Sequence, residues 1–424
     1  MRTLRWLLLP LLLIACTAPR AVATDGGGPY VYVANQLDAA VTVVDMSTNE
    51  VAATVDLEAL GFSANAKPHH IAVEPDGSHW YVSLIGDNLV VKFNRANEVV
   101  ATAPIETPGM LALDPTTDLL YVGRSMSAVS PPPSIGVVER STMAADEIDI
   151  FFSRPHALVV SGDLGQVYAA SLVENSVGSL DTGEETLELL TLDGPIHTLV
   201  QFAIAPDGKT MVGTGQLTGQ VLFFDLADPA NPTVSGVVEV GGMPWHPTYS
   251  PDGSRIYVPN QGADAIDILD AETREVVARV EGRGLAEPHG SAVSPDGRFL
   301  YVSNRNLKGT YRPDGAPAPD ASDEHAGHDM GDMDEHAGHD MGSMEGMDGA
   351  DTADDMSDME DMDEHAGHGM GDMDEHAGHD MGGMVMNDNP DFGGTLAIID
   401  TQTNAIIKVI ELGRMPSGMS AGLQ

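Results

Sequence analysis

The chain has 424 residues, a formal net charge of -44, one cysteine and 5% aromatic residues. Such an acidic balance argues against nucleic acid and anionic lipid surfaces as partners, because their phosphates would be repelled. A lone cysteine excludes an internal disulfide, a CxxC pair and a CxxCH haem attachment site.

The first element in chain order belongs to no fold. Arg2 and Arg5 precede an apolar run from Trp6 to Ala15, which is too short to span a bilayer and reads as a secretory signal. Leu13-Ile14-Ala15-Cys16 resembles the cleavage motif of bacterial lipoproteins. That resemblance implies a signal peptide over 1–15, lipidation of Cys16 and a flexible tether over 16–28. The expected location is extracytoplasmic, with the membrane touched through the lipid anchor only. Thr17 in place of aspartate favours the outer membrane or periplasmic side. An ordinary signal peptide with a chance cysteine is the plainer alternative.

From 29 to 424, outside one insert, the chain is a tandem repeat with a period in the forties. Its most regular unit is PHGSAVSPDGRFLYVSN, Pro288 to Asn304, with relatives at Pro68, His246 and Phe202. Pro-Asp-Gly between alternating apolar runs is a hairpin turn: proline sets φ, aspartate caps the turn and glycine takes positive φ. A second strand pair follows, as in Ala40 to Leu57 and Ala265 to Gly282. Four short strands per unit predict an all-β, seven-bladed β-propeller. First strands are expected to start near Pro68, Pro108, Pro155, Pro195, Pro244, Pro288 and Pro416. The last should pair beside Tyr30 to Asn35, closing the ring and hiding sheet edges.

The motifs YVAN (from Tyr32), YVPN (from Tyr257) and YVSN (from Tyr301) carry a further implication. With the Asp-x-x-Thr turns at Asp45, Asp270 and Asp400, they resemble the YVTN family of seven-bladed propellers. The resemblance is specific for fold and weak for function, since such folds host binding proteins, scaffolds and enzyme domains. Blades three to five depart from it at Tyr121, Tyr168 and Met211.

Six histidines fall at the expected starts of first strands, just after a proline: His69, His70, His156, His197, His246 and His289. First strands line a propeller's channel, so these side chains should crowd one mouth. The cluster resembles the copper-ligating histidine ring of the nitrous oxide reductase propeller, His-His pair included. The alternative is that they satisfy backbone groups between blades. Spacing separates them: His69 and His289 lie seven residues before Asp76 and Asp296, while His70 and His246 lie six before Asp76 and Asp252. Strand alternation would point those two elsewhere.

The insert, 313–393, interrupts blade seven between its second and third strands and repeats DEHAGHDM, once as DEHAGHGM, four times. Each copy sets two histidines three residues apart with a methionine two beyond: His325, His328, Met330; His336, His339, Met341; His365, His368, Met370; His376, His379, Met381. Imidazole with thioether suits copper, whose Cu(I) state takes soft sulfur. Zinc is the main competitor, through His-x-x-His with carboxylates, and nickel a weaker one. Thirteen methionines favour copper. Low aromatic content, many glycines and high charge predict a disordered segment, and chain topology should hang it over the face where first strands begin. A plain acidic spacer would not explain the fixed His-x-x-His-x-Met order.

Three function classes remain. The first is a lipid-anchored, non-enzymatic propeller that binds or buffers metal, chiefly copper, through the insert and the channel histidines. The second is a scaffold for an extracytoplasmic protein partner. The third is a propeller oxidoreductase using a metal at the histidine ring. The chain has no phosphate loop, nucleophile elbow or GxGxxG, and no spacing singles out a catalytic triad.

Overall fold

The computed structural model describes residues 28–316 and 392–422. Its Pro-Asp-Gly turns form as their chemistry dictates. Asp76, Asp207, Asp252 and Asp296 each accept, on Oδ1, the backbone N–H two residues further on, at 2.9 to 3.0 Å. The glycines that follow, Gly77, Gly208, Gly253 and Gly297, take φ between 63° and 73°, a region they enter without steric cost. The Asp-x-x-Thr turns close likewise: Asp270 accepts the N–H of Thr273 at 2.9 Å, and Asp400 that of Thr403 at 3.0 Å.

These hairpins assemble into seven four-stranded antiparallel sheets, the blades of a seven-bladed β-propeller. The first strands of neighbouring blades touch one another and form the inner ring. Apolar clusters fill the space between blades. In one, Tyr32 and Val43 of blade one pack against Trp80 and Phe93 of blade two, whose rings stack at 4.1 Å. Ring closure occurs as expected: Pro416–Ala421 pairs antiparallel with Tyr30–Asn35, placing Tyr32 opposite Ser420 and Val33 opposite Met419. Arg414 pairs with Asp38 across the same seam.

Two blades begin differently from the sequence reading. In the regular blades a residue with φ between 43° and 57° (Lys67, Thr107, Arg154, Glu287, Met415) precedes the proline that opens the strand. In blade five Thr198 takes that conformation at 53°, so Leu199, opposite Gly215, stands where proline does elsewhere. The strand is Leu199–Ile204, not one opening at Pro195, because chain geometry rather than the proline sets the register. In blade six Pro244 makes only an isolated bridge to Asn260, and the strand proper is Thr248–Tyr249.

The inner ring is tight. A Cβ on Gly418 would lie 2.4 Å from the His69 carbonyl oxygen and 2.7 Å from the His70 ring. The Ser83 hydroxyl donates to the Gly109 carbonyl at 2.7 Å, and Ser303 does the same to Ser417, sewing adjacent first strands together.

Blade seven accepts its insertion without losing pairing. Phe299–Asn304 lies against Thr395–Asp400, with Asn304 opposite Thr395. Asn306 Nδ2 donates to the carbonyls of Tyr311 and Gly393 at 3.0 and 2.9 Å, joining the outgoing and returning chain.

Two outcomes follow. Deleting 317–391 should leave a propeller with native circular dichroism and little change in thermal midpoint, since no blade strand is removed. Gly418→Ala should cost about 1–3 kcal/mol in denaturant unfolding, the usual cost of overpacking, because the added methyl meets backbone that cannot yield.

Candidate functional site

Five of the six strand-start histidines come together in the channel, and one does not. His69, His156 and His289 each directly follow the strand-opening proline, while His70 and His246 sit one residue later, as their shorter spacing to the turn suggested. All five are buried. Ring centroids of His69 and His156 are 5.9 Å apart, His70 and His246 5.8 Å, and His246 and His289 4.5 Å. His197 is set apart by the register of blade five, which puts Val200 at the corresponding place. Its Nδ1 lies 3.1 Å from the Thr218 hydroxyl, and it lines a surface cleft with Leu190 and Val237. The methionines that replace histidine in other blades, Met110 and Met419, pack into apolar cores.

Hydrogen bonding decides the tautomer of three rings. The Arg124 carbonyl lies 2.7 Å from His156 Nδ1, and Gln36 Oε1 lies 3.4 Å from His69 Nδ1. Oxygens of this kind only accept, so Nδ1 carries the proton in both rings and Nε2 presents a lone pair. Both Nε2 atoms are buried without a partner. His70 is the reverse, because its Nδ1 accepts the Leu111 N–H at 3.2 Å and the proton resides on Nε2. His246 Nε2 and both nitrogens of His289 are buried and unpartnered as well. Burial holds every one of these rings neutral: His156 is pushed down to about 4 and His70 to about 3, and His69, His246 and His289 fall well below the ordinary range.

Two residues that sequence reasoning missed complete the channel. Trp245, at the place held by histidine in three blades, packs against His289 at 4.2 Å between centroids. Arg305 follows YVSN directly and is buried, its guanidinium 4.9 Å from the Trp245 ring. Burial lowers its pKa to about 10. A readable signal existed for each: Pro-Trp-His in place of Pro-His, and a cation at the end of an inner hairpin of a strongly acidic chain.

The donor set suits a soft or borderline metal, since neutral imidazoles with free lone pairs bind copper or zinc. Among the described residues, however, no group of three or more His, Cys, Asp or Glu is arranged to hold a metal ion. Cys16 and the twelve insert residues from His325 to Met381 lie outside the described residues.

Fold and channel define a seven-bladed β-propeller lined at its axis by buried neutral histidines. The family model described as Lactonase, 7-bladed beta-propeller, matches residues 13–130, a minority of the chain. Among solved structures, Kuenenia stuttgartiensis hydrazine synthase is 25% identical, with a TM-score of 0.50, over 57% of this chain and 75% of that one. A streptogramin B lyase is 15% identical, with a TM-score of 0.53, over 66% of this chain and 88% of its own. Virginiamycin B lyase from Staphylococcus aureus is 12% identical, also with a TM-score of 0.53, over 66% and 93%. The two lyases are alike in fold alone. No curated protein matches the chain.

The neutral rings make stability depend on pH. Their folded pKa values lie below the unfolded value near 6.5, so the unfolded chain binds more protons as pH falls. The metal-free protein should therefore be fully stable above about pH 6.5 and lose about 1.4 kcal/mol per pH unit for each ring that stays neutral below it. For His156 that loss levels off near pH 4 and for His70 near pH 3. Denaturant midpoints between pH 7 and 4 test this, and a flat profile would contradict the burial described.

Proposed function

We propose that this protein is an extracytoplasmic, lipid-anchored propeller that binds or buffers a transition metal, copper by ligand chemistry, with the channel and the His/Met-rich insert as separate binding elements. The observation that carries the reading is the pair His69 and His156. Each is held by an acceptor at Nδ1 in the tautomer whose Nε2 lone pair ligates metals, and each Nε2 is buried with no partner. A centroid spacing of 5.9 Å lets two imidazoles reach one ion at the usual metal–nitrogen distance of about 2.0–2.1 Å. His246 and His289 add further unpartnered nitrogens in the same channel, whereas His70 presents an N–H and serves better as a hydrogen-bond donor. The insert supports copper independently through its repeated His-x-x-His-x-Met. Lipidation at Cys16 and location at the outer membrane or periplasmic side rest on the N-terminal motif.

The lactonase-type match favours a second reading, an enzyme acting at the same channel. There a buried neutral imidazole would take the proton of a water attacking a lactone carbonyl.

Copper stoichiometry and Cu(I)/Cu(II) affinity, measured on the mature chain, the 317–391 deletion and the His69→Gln/His156→Gln pair, test the proposal. The deletion is expected to keep one tightly bound ion per chain and the double variant to lose it, with at least a hundredfold weaker channel affinity. Copper lost with the insert alone would make the insert the sole metal element. No copper on any of the three would leave the enzyme and scaffold readings, which turnover of simple lactones and capture of a partner by the metal-free propeller would then separate.

A further inference from the structure

The channel holds more unfulfilled donors than a metal site explains. Arg305 Nε and Nη1 are buried without partners, and a guanidinium can only donate. Trp245 Nε1, another pure donor, is buried and unpartnered beside it. His289, tilted against Trp245 at 4.2 Å between centroids, adds at least one N–H, because a neutral imidazole always carries one and both its nitrogens lack partners. Four donor nitrogens from three side chains thus lie buried with no acceptor among the described residues.

The charge is as unbalanced as the hydrogen bonding. Among the described residues Arg305 has no carboxylate within ion-pair distance. Glu287, the carboxylate whose field it feels, receives the Lys308 N–H at 2.9 Å and lies 3.9 Å from Lys308 Nζ. The Trp245 face offers a cation–π contact. That contact is weaker than the cost of leaving a buried charge without a counter-charge. The indole face alone therefore leaves a deficit that an anion in contact with the guanidinium would remove.

We propose that Arg305, Trp245 and His289 form an anion site in the propeller channel that takes one small oxyanion or carboxylate, one oxygen on Arg305 and another shared by the Trp245 and His289 N–H groups. The site stands apart from the metal reading: its decisive groups, the guanidinium and the indole, cannot ligate a metal. A carboxylate-bearing small molecule and an inorganic oxyanion present the same acceptor oxygens, and the site recognises that shared chemistry. A neutral ligand would not answer the charge.

The test uses the full mature chain stripped of metal by chelator. Sodium acetate and sodium phosphate are titrated separately at constant ionic strength and followed by calorimetry. One equivalent per chain is expected to bind, and the preferred salt distinguishes the carboxylate from the inorganic source. Arg305→Met should abolish saturable binding while raising the thermal midpoint of the anion-free protein, because it removes a stranded charge. A residue with a merely structural role would lower that midpoint. Trp245→Phe keeps the ring and removes one N–H, and should weaken binding about tenfold, the equivalent of about 1.4 kcal/mol. If Arg305→Met does not fold, Arg305→Lys and Trp245→Phe decide, both being expected to weaken binding. Failure of both anions to bind the wild-type chain, unchanged affinity in the variants, or binding that appears only when copper is restored would each overturn the proposal.

Discussion

The convergence of seven first strands on one axis is the constraint on which the rest of this molecule depends. Neighbouring blades approach so closely there that backbone meets backbone, and only particular residues fit. Gly418 leaves no room for a methyl against the His69 carbonyl, and the hydroxyls of Ser83 and Ser303 bond to carbonyls of the next blade. The same crowding buries the inward-pointing polar side chains, and several of them have no protein partner. The seam between Pro416–Ala421 and Tyr30–Asn35 maintains this pressure, because an open ring would let the blades separate.

Desolvation then sorts the inward-pointing groups. Imidazoles can shed their charge, and all five channel histidines do so. A guanidinium cannot, and Arg305 stays cationic even where burial has lowered its pKa to about 10. The result is a channel with two chemical characters. His69 and His156 offer lone pairs, while Arg305, Trp245 and His289 offer N–H groups. A protein carrying a formal charge of -44 thus keeps a small basic interior, and that contrast would draw an anion inward once past the acidic surface.

Blade architecture, turn chemistry and ring closure were legible in the sequence, because each rests on local rules that repeat. Pro-Asp-Gly and Asp-x-x-Thr specify their own hydrogen bonds, and an unpaired terminal strand requires its complement. Strand alternation misled at His70 and His246: the one-residue spacing difference should point them elsewhere, yet both join the channel cluster, their rings 5.8 Å apart. The opening of blade five was not legible either. Pro195 imitates the repeat, but the positive-φ residue that starts a blade is Thr198, and His197 falls outside the channel as a consequence.

By itself the sequence determined the strand order and that histidines at the strand starts gather at the axis, but not Trp245 or Arg305 beside them. Only the tertiary structure decided what each can do. The tautomers of His69, His156 and His70 depend on whether Gln36, the Arg124 carbonyl or the Leu111 N–H lies beside the ring, and each of those partners is distant in the chain. Arg305 reads as one more surface cation until packing places it over Trp245, with no carboxylate within ion-pair distance among the described residues. Hydrogen-bond direction and desolvation are properties of neighbours in space, and a linear motif encodes neither.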